Sequence, residues 1–166
     1  MMVIFKLKPL QGGYKIKETT MKIKVKKINE KAVVPQRATE GSAGADLFAC
    51  IDEPVEIKPG EIKVIKTGIA VEIPDKNYAA FVYARSGLGI KHGICLANGV
   101  GVIDSDYRGE ICVGLCNISQ TSYTVEPGER VAQMVIMPVD CAVYEEVIDI
   151  NSTERGTGGF GSTGKF

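Results

Sequence analysis

The chain predicts an all-β domain of many short strands, on three observations. Apolar residues alternate with polar ones over strand-length runs. Turn signals built on Pro-Gly and Pro-Asp separate those runs. No segment keeps apolar residues at helical spacing for three turns. That pattern belongs to a sandwich or barrel, and 166 residues suit one ordinary domain with a core of its own.

Along the chain, Lys22-Ile23-Lys24-Val25-Lys26 reads as a strand opening after Met21. Pro59-Gly60 and Pro127-Gly128 lie between runs, where Pro fixes φ and Gly permits a positive one. Ile69, Val71 and Ile73 alternate with Ala70 and Glu72, and Pro74-Asp75-Lys76-Asn77 turns the chain. Ser86–His92 has room for a helical turn or two. Ile111, Val113 and Leu115 alternate in the same way, and the run from Val131 to Ile136 is closed by Pro138. Three regions follow: a basic, loosely attached extension over 1–21, the β domain over 22–150, and a glycine-rich arm over 151–166.

Charge and cysteines exclude several classes of protein. Net charge is zero, which argues against a general nucleic-acid coat. Residues 1–27 hold eight Lys against Glu18 alone, and residues 28–166 hold 12 bases against 19 acids. No apolar run approaches the roughly 20 residues of a membrane helix, so no membrane partner is expected. Val3-Ile4-Phe5, interrupted by Lys6, is too short for a signal-peptide core, so the expected compartment is the cytoplasm. A natural start at Met21, with residues 1–20 as upstream sequence, is the other reading of the extension. Cys50, Cys95, Cys112, Cys116 and Cys141 lack CxxC spacing and read as reduced thiols, with only His92 available to join them on a metal.

Five segments carry chemistry. In the tail, Arg155 to Gly164 holds five Gly in ten residues, too few apolar groups to pack, so it is disordered or becomes ordered around something. Its amides, with Ser162, Thr163 and Arg155, suit an anion, and Phe160 adds a stacking face: together, what a nucleoside phosphate requires. Gly159–Lys165 fits seven positions of GxxxxGK[ST], but position eight is Phe166 and no helix follows, so a P-loop is not expected. Asn98–Gly109 delivers Asp104 to a strand end before a polar turn, placed as a general base, as an orienter of metal-bound water, or as an acid in an ordinary hairpin. Ala84–Lys91 offers Arg85, Ser86 and Gly87 to a phosphate, or Ser86 as a helix N-cap. Ser42–Leu47 half-buries Asp46, which then needs a partner, usually an Arg. In Glu129-Arg130-Val131-Ala132-Gln133, Gln133 is placed to hydrogen-bond inward. With one His, no Ser/His/Asp or Cys/His set exists, so activated water is the expected nucleophile.

In this order the five segments closely resemble the five motifs of the trimeric deoxyuridine triphosphate pyrophosphatases (dUTPases), over residues 22–166. The resemblance implies a distorted jelly-roll (β-clip type) subunit of a homotrimer, with sites at subunit interfaces and the arm of one subunit closing over a site built by two others. It implies hydrolysis of dUTP to dUMP and pyrophosphate, with Mg²⁺ on the triphosphate. By position, Asp104 would activate the attacking water. Asn98 and its hairpin, Val102 included, would read uracil, and Tyr107 would pack under the deoxyribose. Arg85, Ser86, Gly87 and Gln133 would hold the phosphates, with Asp46 behind them orienting Arg85 or a metal-bound water. Arg155, Gly161, Ser162 and Thr163 would grip the γ-phosphate while Phe160 caps the base. The rival readings are a dCTP deaminase, bifunctional or not, and a non-catalytic nucleotide-binding regulator on the same scaffold.

Overall fold

Residues 21–159 are described by the structure, a computed structural model. Among them are eleven strands and one helix: β1 (Lys24–Lys27), β2 (Ala45–Phe48), β3 (Val55–Ile57), β4 (Ile62–Lys66), β5 (Ile69–Glu72), β6 (Tyr78–Tyr83), α1 (Ser86–His92), β7 (Ile94–Leu96), β8 (Gly101–Ile103), β9 (Cys112–Asn117), β10 (Tyr123–Val125) and β11 (Arg130–Pro138). The all-β expectation holds, and α1 occupies the place the sequence allowed it. Residues 1–20, Phe160, Gly161, Ser162 and Thr163 lie outside the described residues.

Every pairing is antiparallel. One sheet runs β2-β11-β6-β8 and a second β4-β9-β7, with the ribbons β1-β5 and β3-β10 beside them. Neighbours distant in sequence, such as β2 and β11, give a jelly-roll type of arrangement rather than a meander. The inward residues of both sheets meet in one core, in which Leu47, Ile65, Ile69, Ile94, Leu115 and Val131 are buried. Withdrawing each from water contributes about 1.5–3 kcal/mol.

On β9 the predicted alternation is direct: Val113 and Leu115 face inward, while Cys112, Gly114 and Cys116 face out. On β5 it is incomplete. Ala70 is buried along with Ile69 and Val71, because both faces of this strand are covered and a methyl group fits there.

Two turns of one design launch β4 and β11. In Lys58-Pro59-Gly60-Glu61 and Glu126-Pro127-Gly128-Glu129 the glycines sit at φ 75° and 77°, as a type II turn requires. In each, the fourth residue's amide donates to the first residue's carbonyl, at 2.9 and 3.1 Å. The glutamate then accepts from the first residue's amide at 3.0 Å. Beyond Pro138 no described residue enters a strand, and Val143, Tyr144, Ile148 and Ile150 are almost wholly exposed.

Candidate active site

The first concavity is an anion-type cleft of about 290 Å³ lined by Ser42, Gly44, Asp46, Arg85, Ser86, Gly87 and Gln133, among others. β2 brings Asp46 opposite Gln133 of β11, and β6 brings Tyr83 opposite the same glutamine, so the chain leaving β6 delivers Arg85 beside them. Arg85 Nε donates to Asp46 Oδ1 at 3.0 Å, and Arg85 Nη1 donates to the Arg130 carbonyl at 3.2 Å. Asp46 does take an arginine partner, and it takes two: Arg130 Nη1 donates to Oδ2 at 3.1 Å. Gln133 Nε2 donates to the Ala84 carbonyl at 3.0 Å. Gly44 makes room for that amide, since a Cβ there would stand 2.8 Å from Gln133 Oε1.

Ser86 does not act as a helix cap. Arg85 occupies the N-cap position with extended backbone, no side chain caps the helix, and Ser86 is the first helical residue. Its hydroxyl and the Gly87 backbone are exposed at the cleft. Nearby, Tyr123 donates its hydroxyl to Glu129 Oε1 at 2.5 Å. Burial, followed by that carboxylate, pushes the phenol up to about 12, opposed by the nearby Arg85 charge.

Asp104 and Tyr107 line a different concavity, of about 270 Å³, with Val102, Ile103, Glu110, Ile111 and Cys112. The loop is tied to β5. Ile111 N donates to the Ile69 carbonyl at 2.9 Å, and Gly68 N donates to Glu110 Oε1 at 2.9 Å. Tyr107 Oη donates to the Glu110 carbonyl at 3.0 Å, laying its ring across Gly109. Asp104 is exposed, and burial, then Glu110, raises the Cys112 thiol above its usual range. Asn98 stands exposed in the β7–β8 turn beside Gly99, whose φ is 73°. Arg155 donates to the Gly158 carbonyl of its own turn at 2.9 Å.

Within one chain these two sets are apart. Ile103 pairs with Ala80, so Asp104, one residue past the end of β8, falls near Ala79, six residues from Arg85 along β6 and its exit. At about 3.3 Å per residue that is roughly 20 Å. A carboxylate priming water for a phosphate held by Arg85 must stand far closer. The two concavities of one subunit share no lining residue.

The family model described as dUTPase matches residues 30–164. The chain belongs to the dUTPase family. A deoxyuridine 5'-triphosphate nucleotidohydrolase of Acinetobacter baumannii is 51% identical over 149 residues, covering 87% of this chain and 99% of the relative. The solved dUTPase of Staphylococcus bacteriophage 80alpha, bound to dUpNHpp, superposes with a TM-score of 0.77 at 30% identity, covering 86% of this chain and 98% of the other. The dUTPase of phage phi11 of S. aureus, whose structure coordinates a structural Mg(II) ion, superposes with a TM-score of 0.70 at 26% identity, covering 79% and 99%. Inside this dUTPase fold, sequence reasoning missed Arg130 and Gly44. The signal for Arg130 was present, because a half-buried carboxylate has two oxygens to satisfy and Arg85 engages only one of them.

Proposed function

We propose that the chain hydrolyses dUTP to dUMP and pyrophosphate, at sites shared between three copies. The observation that carries this is the Arg85–Asp46–Gln133 cleft, a preformed phosphate cradle in a chain 51% identical to a dUTP nucleotidohydrolase. Arg85, Ser86, Gly87 and Gln133 hold the phosphate chain, with Arg85 kept in place by Asp46 and by the Arg130 carbonyl. Asp104 of a neighbouring copy completes the site, a reading supported by the roughly 20 Å of strand between Asp104 and Arg85 within one chain. The exposed apolar side chains at Val143, Tyr144, Ile148 and Ile150 support assembly, since a segment so apolar gains by burial against another chain.

Asp104 accepts a proton from water as that oxygen attacks the α-phosphorus. The bond from the α-phosphorus to its bridging oxygen then breaks, and pyrophosphate leaves with the electron pair. Cations and amide donors along the departing phosphates stabilise the charge that develops there. Asn98 and the Val102 backbone read the uracil edge, and Tyr107 closes the space a 2′-hydroxyl would need. The arm bearing Arg155, Phe160, Gly161, Ser162 and Thr163 closes over base and γ-phosphate.

Both Asp46 oxygens are engaged by guanidinium groups, and Arg85, Ser86 and Gln133 are donors that suit phosphate oxygens. Mg²⁺ would enter with the substrate, on the triphosphate, where it would offset negative charge.

Pyrophosphate release measured over dUTP, dCTP, dTTP and UTP, with and without Mg²⁺, tests the reading. Release from dUTP alone among the four, stimulated by Mg²⁺, is expected. Ammonia release from dCTP would install the deaminase instead, and binding of dUTP without turnover would install the regulator.

A further inference from the structure

We propose that Cys95 and Cys116 form a redox pair, two thiols that a peroxide converts into an intrachain disulfide stapling β7 to β9. Neither residue lines the two concavities described above.

All five cysteines are free, but only these two stand opposite one another. Cys112 faces Lys66 across the β4–β9 ladder, and Cys50 and Cys141 lie outside the strands. Cys95 sits between buried Ile94 and Leu96, and Cys116 between buried Leu115 and Asn117, so both side chains leave the outer face of the sheet. The register sets their separation. Ala97 N donates to the Gly114 carbonyl and Ile118 N to the Gly93 carbonyl, each at 2.9 Å. Hydrogen-bonded pairs alternate along an antiparallel ladder, so Cys95 and Cys116 are the hydrogen-bonded pair between those two, with Cα atoms about 5.5 Å apart. A disulfide spans roughly 4.4–6.8 Å between Cα atoms, so the strands need not move. Cys95 Sγ leans over its partner, 3.8 Å from the Cys116 carbonyl oxygen. Burial first, and then the Cys116 thiol beside it, raises the Cys95 thiol above its usual range, a second sign that the sulfurs are neighbours. Both residues are partly exposed, which gives a small oxidant access.

The chemistry balances with hydrogen peroxide as the oxidant. One sulfur, as thiolate, attacks a peroxide oxygen; the O–O bond breaks, hydroxide leaves and takes up that thiol's proton as water, and a sulfenic acid remains. The second sulfur attacks the first. The S–S bond forms as the S–O bond breaks, and the second thiol's proton leaves with that oxygen as another water. Two thiols lose two electrons, and one peroxide is reduced to two waters. A dithiol reverses the bond by exchange.

The place of the bond gives it a consequence. β7 joins Gly93, the C-cap of α1, to the turn that holds Asn98. A bond at Cys95 fastens the middle of that strand and closes residues 96–115 into a loop, which constrains the unfolded chain. The oxidised chain should therefore melt several degrees higher than the reduced one.

The test treats the full, unaltered chain with hydrogen peroxide, alkylates the remaining thiols and maps the peptides. A linked Cys95–Cys116 peptide pair, about 2 Da lighter than its two parts, is expected, with Cys50, Cys112 and Cys141 still alkylated. Dithiothreitol should undo the link. Cys95→Ser and Cys116→Ser should each abolish both the link and the rise in melting temperature, whereas Cys112→Ser should keep both. Alkylation of all five thiols, sulfinic or sulfonic acid in place of the link, or a bond to a different cysteine or another chain would each overturn the proposal. So would an oxidised chain that melts no higher than the reduced one.

Discussion

Asp46 shows how a single side chain organises its surroundings. A carboxylate only 13% exposed must have each oxygen satisfied, and two guanidiniums converge on it from segments 39 and 84 residues away. Tyr107 is held by an opposite kind of necessity. Its ring lies where a side chain on Gly109 would be, and a Cβ there would fall 2.5 Å from Tyr107 Cζ. Gly109→Ala should therefore drive the ring from its seat and weaken the preference for dUTP over UTP. Steady-state kinetics with both nucleotides reads this directly, and undiminished discrimination would mean that Tyr107 does not guard the sugar.

Among the elements, β10, the turn after it and the start of β11 act as one unit. Tyr123 lies on β10, Glu129 closes the Pro-Gly turn, and their hydrogen bond spans the two. The phenol titrates at about 12 in the folded chain against an ordinary 10.0. Burial first and the Glu129 carboxylate second make the folded pKa the higher one, so the stability this partly buried, hydrogen-bonded phenol contributes is full below pH 10 and lost as pH rises toward 12. Tyr123→Phe has no proton to lose. The stability gap between wild type and this variant should narrow from pH 10 to 12 in urea titrations, whereas a constant gap would disconnect the pair from the alkaline limb. Legibility also varied between elements. The two Pro-Gly turns and the alternation of β9 are local, so they could be read from neighbouring residues. The register shift in β11 between Arg130 and Ala132 could not, because it is set against β2, more than eighty residues away in the chain.

At the scale of the whole molecule, the proposed sharing of sites between copies makes a sharper demand. If Arg85 of one copy works with Asp104 of another, Arg85→Ala and Asp104→Ala subunits should each be inactive alone, with Asp104→Ala still binding dUTP. Refolded together in equal amounts, they should regain activity, since random assembly leaves about a quarter of the shared sites intact. No regain in the mixture, with light scattering confirming mixed assemblies, would return both groups to one chain.

The residue order alone determined the fold class, the place of the short helix at Ser86–His92 and the segments bearing Asp46, Arg85, Asp104 and Gln133, because period, turn chemistry and motif spacing are properties of the linear chain. Tertiary structure decided which of those segments meet. It joined Asp46 to Arg85 and Gln133, added Arg130, denied Ser86 its capping role and set Asp104 apart. The physical reason is that pairing register and burial depend on strands far apart in the chain, and spacing along the chain carries no record of them.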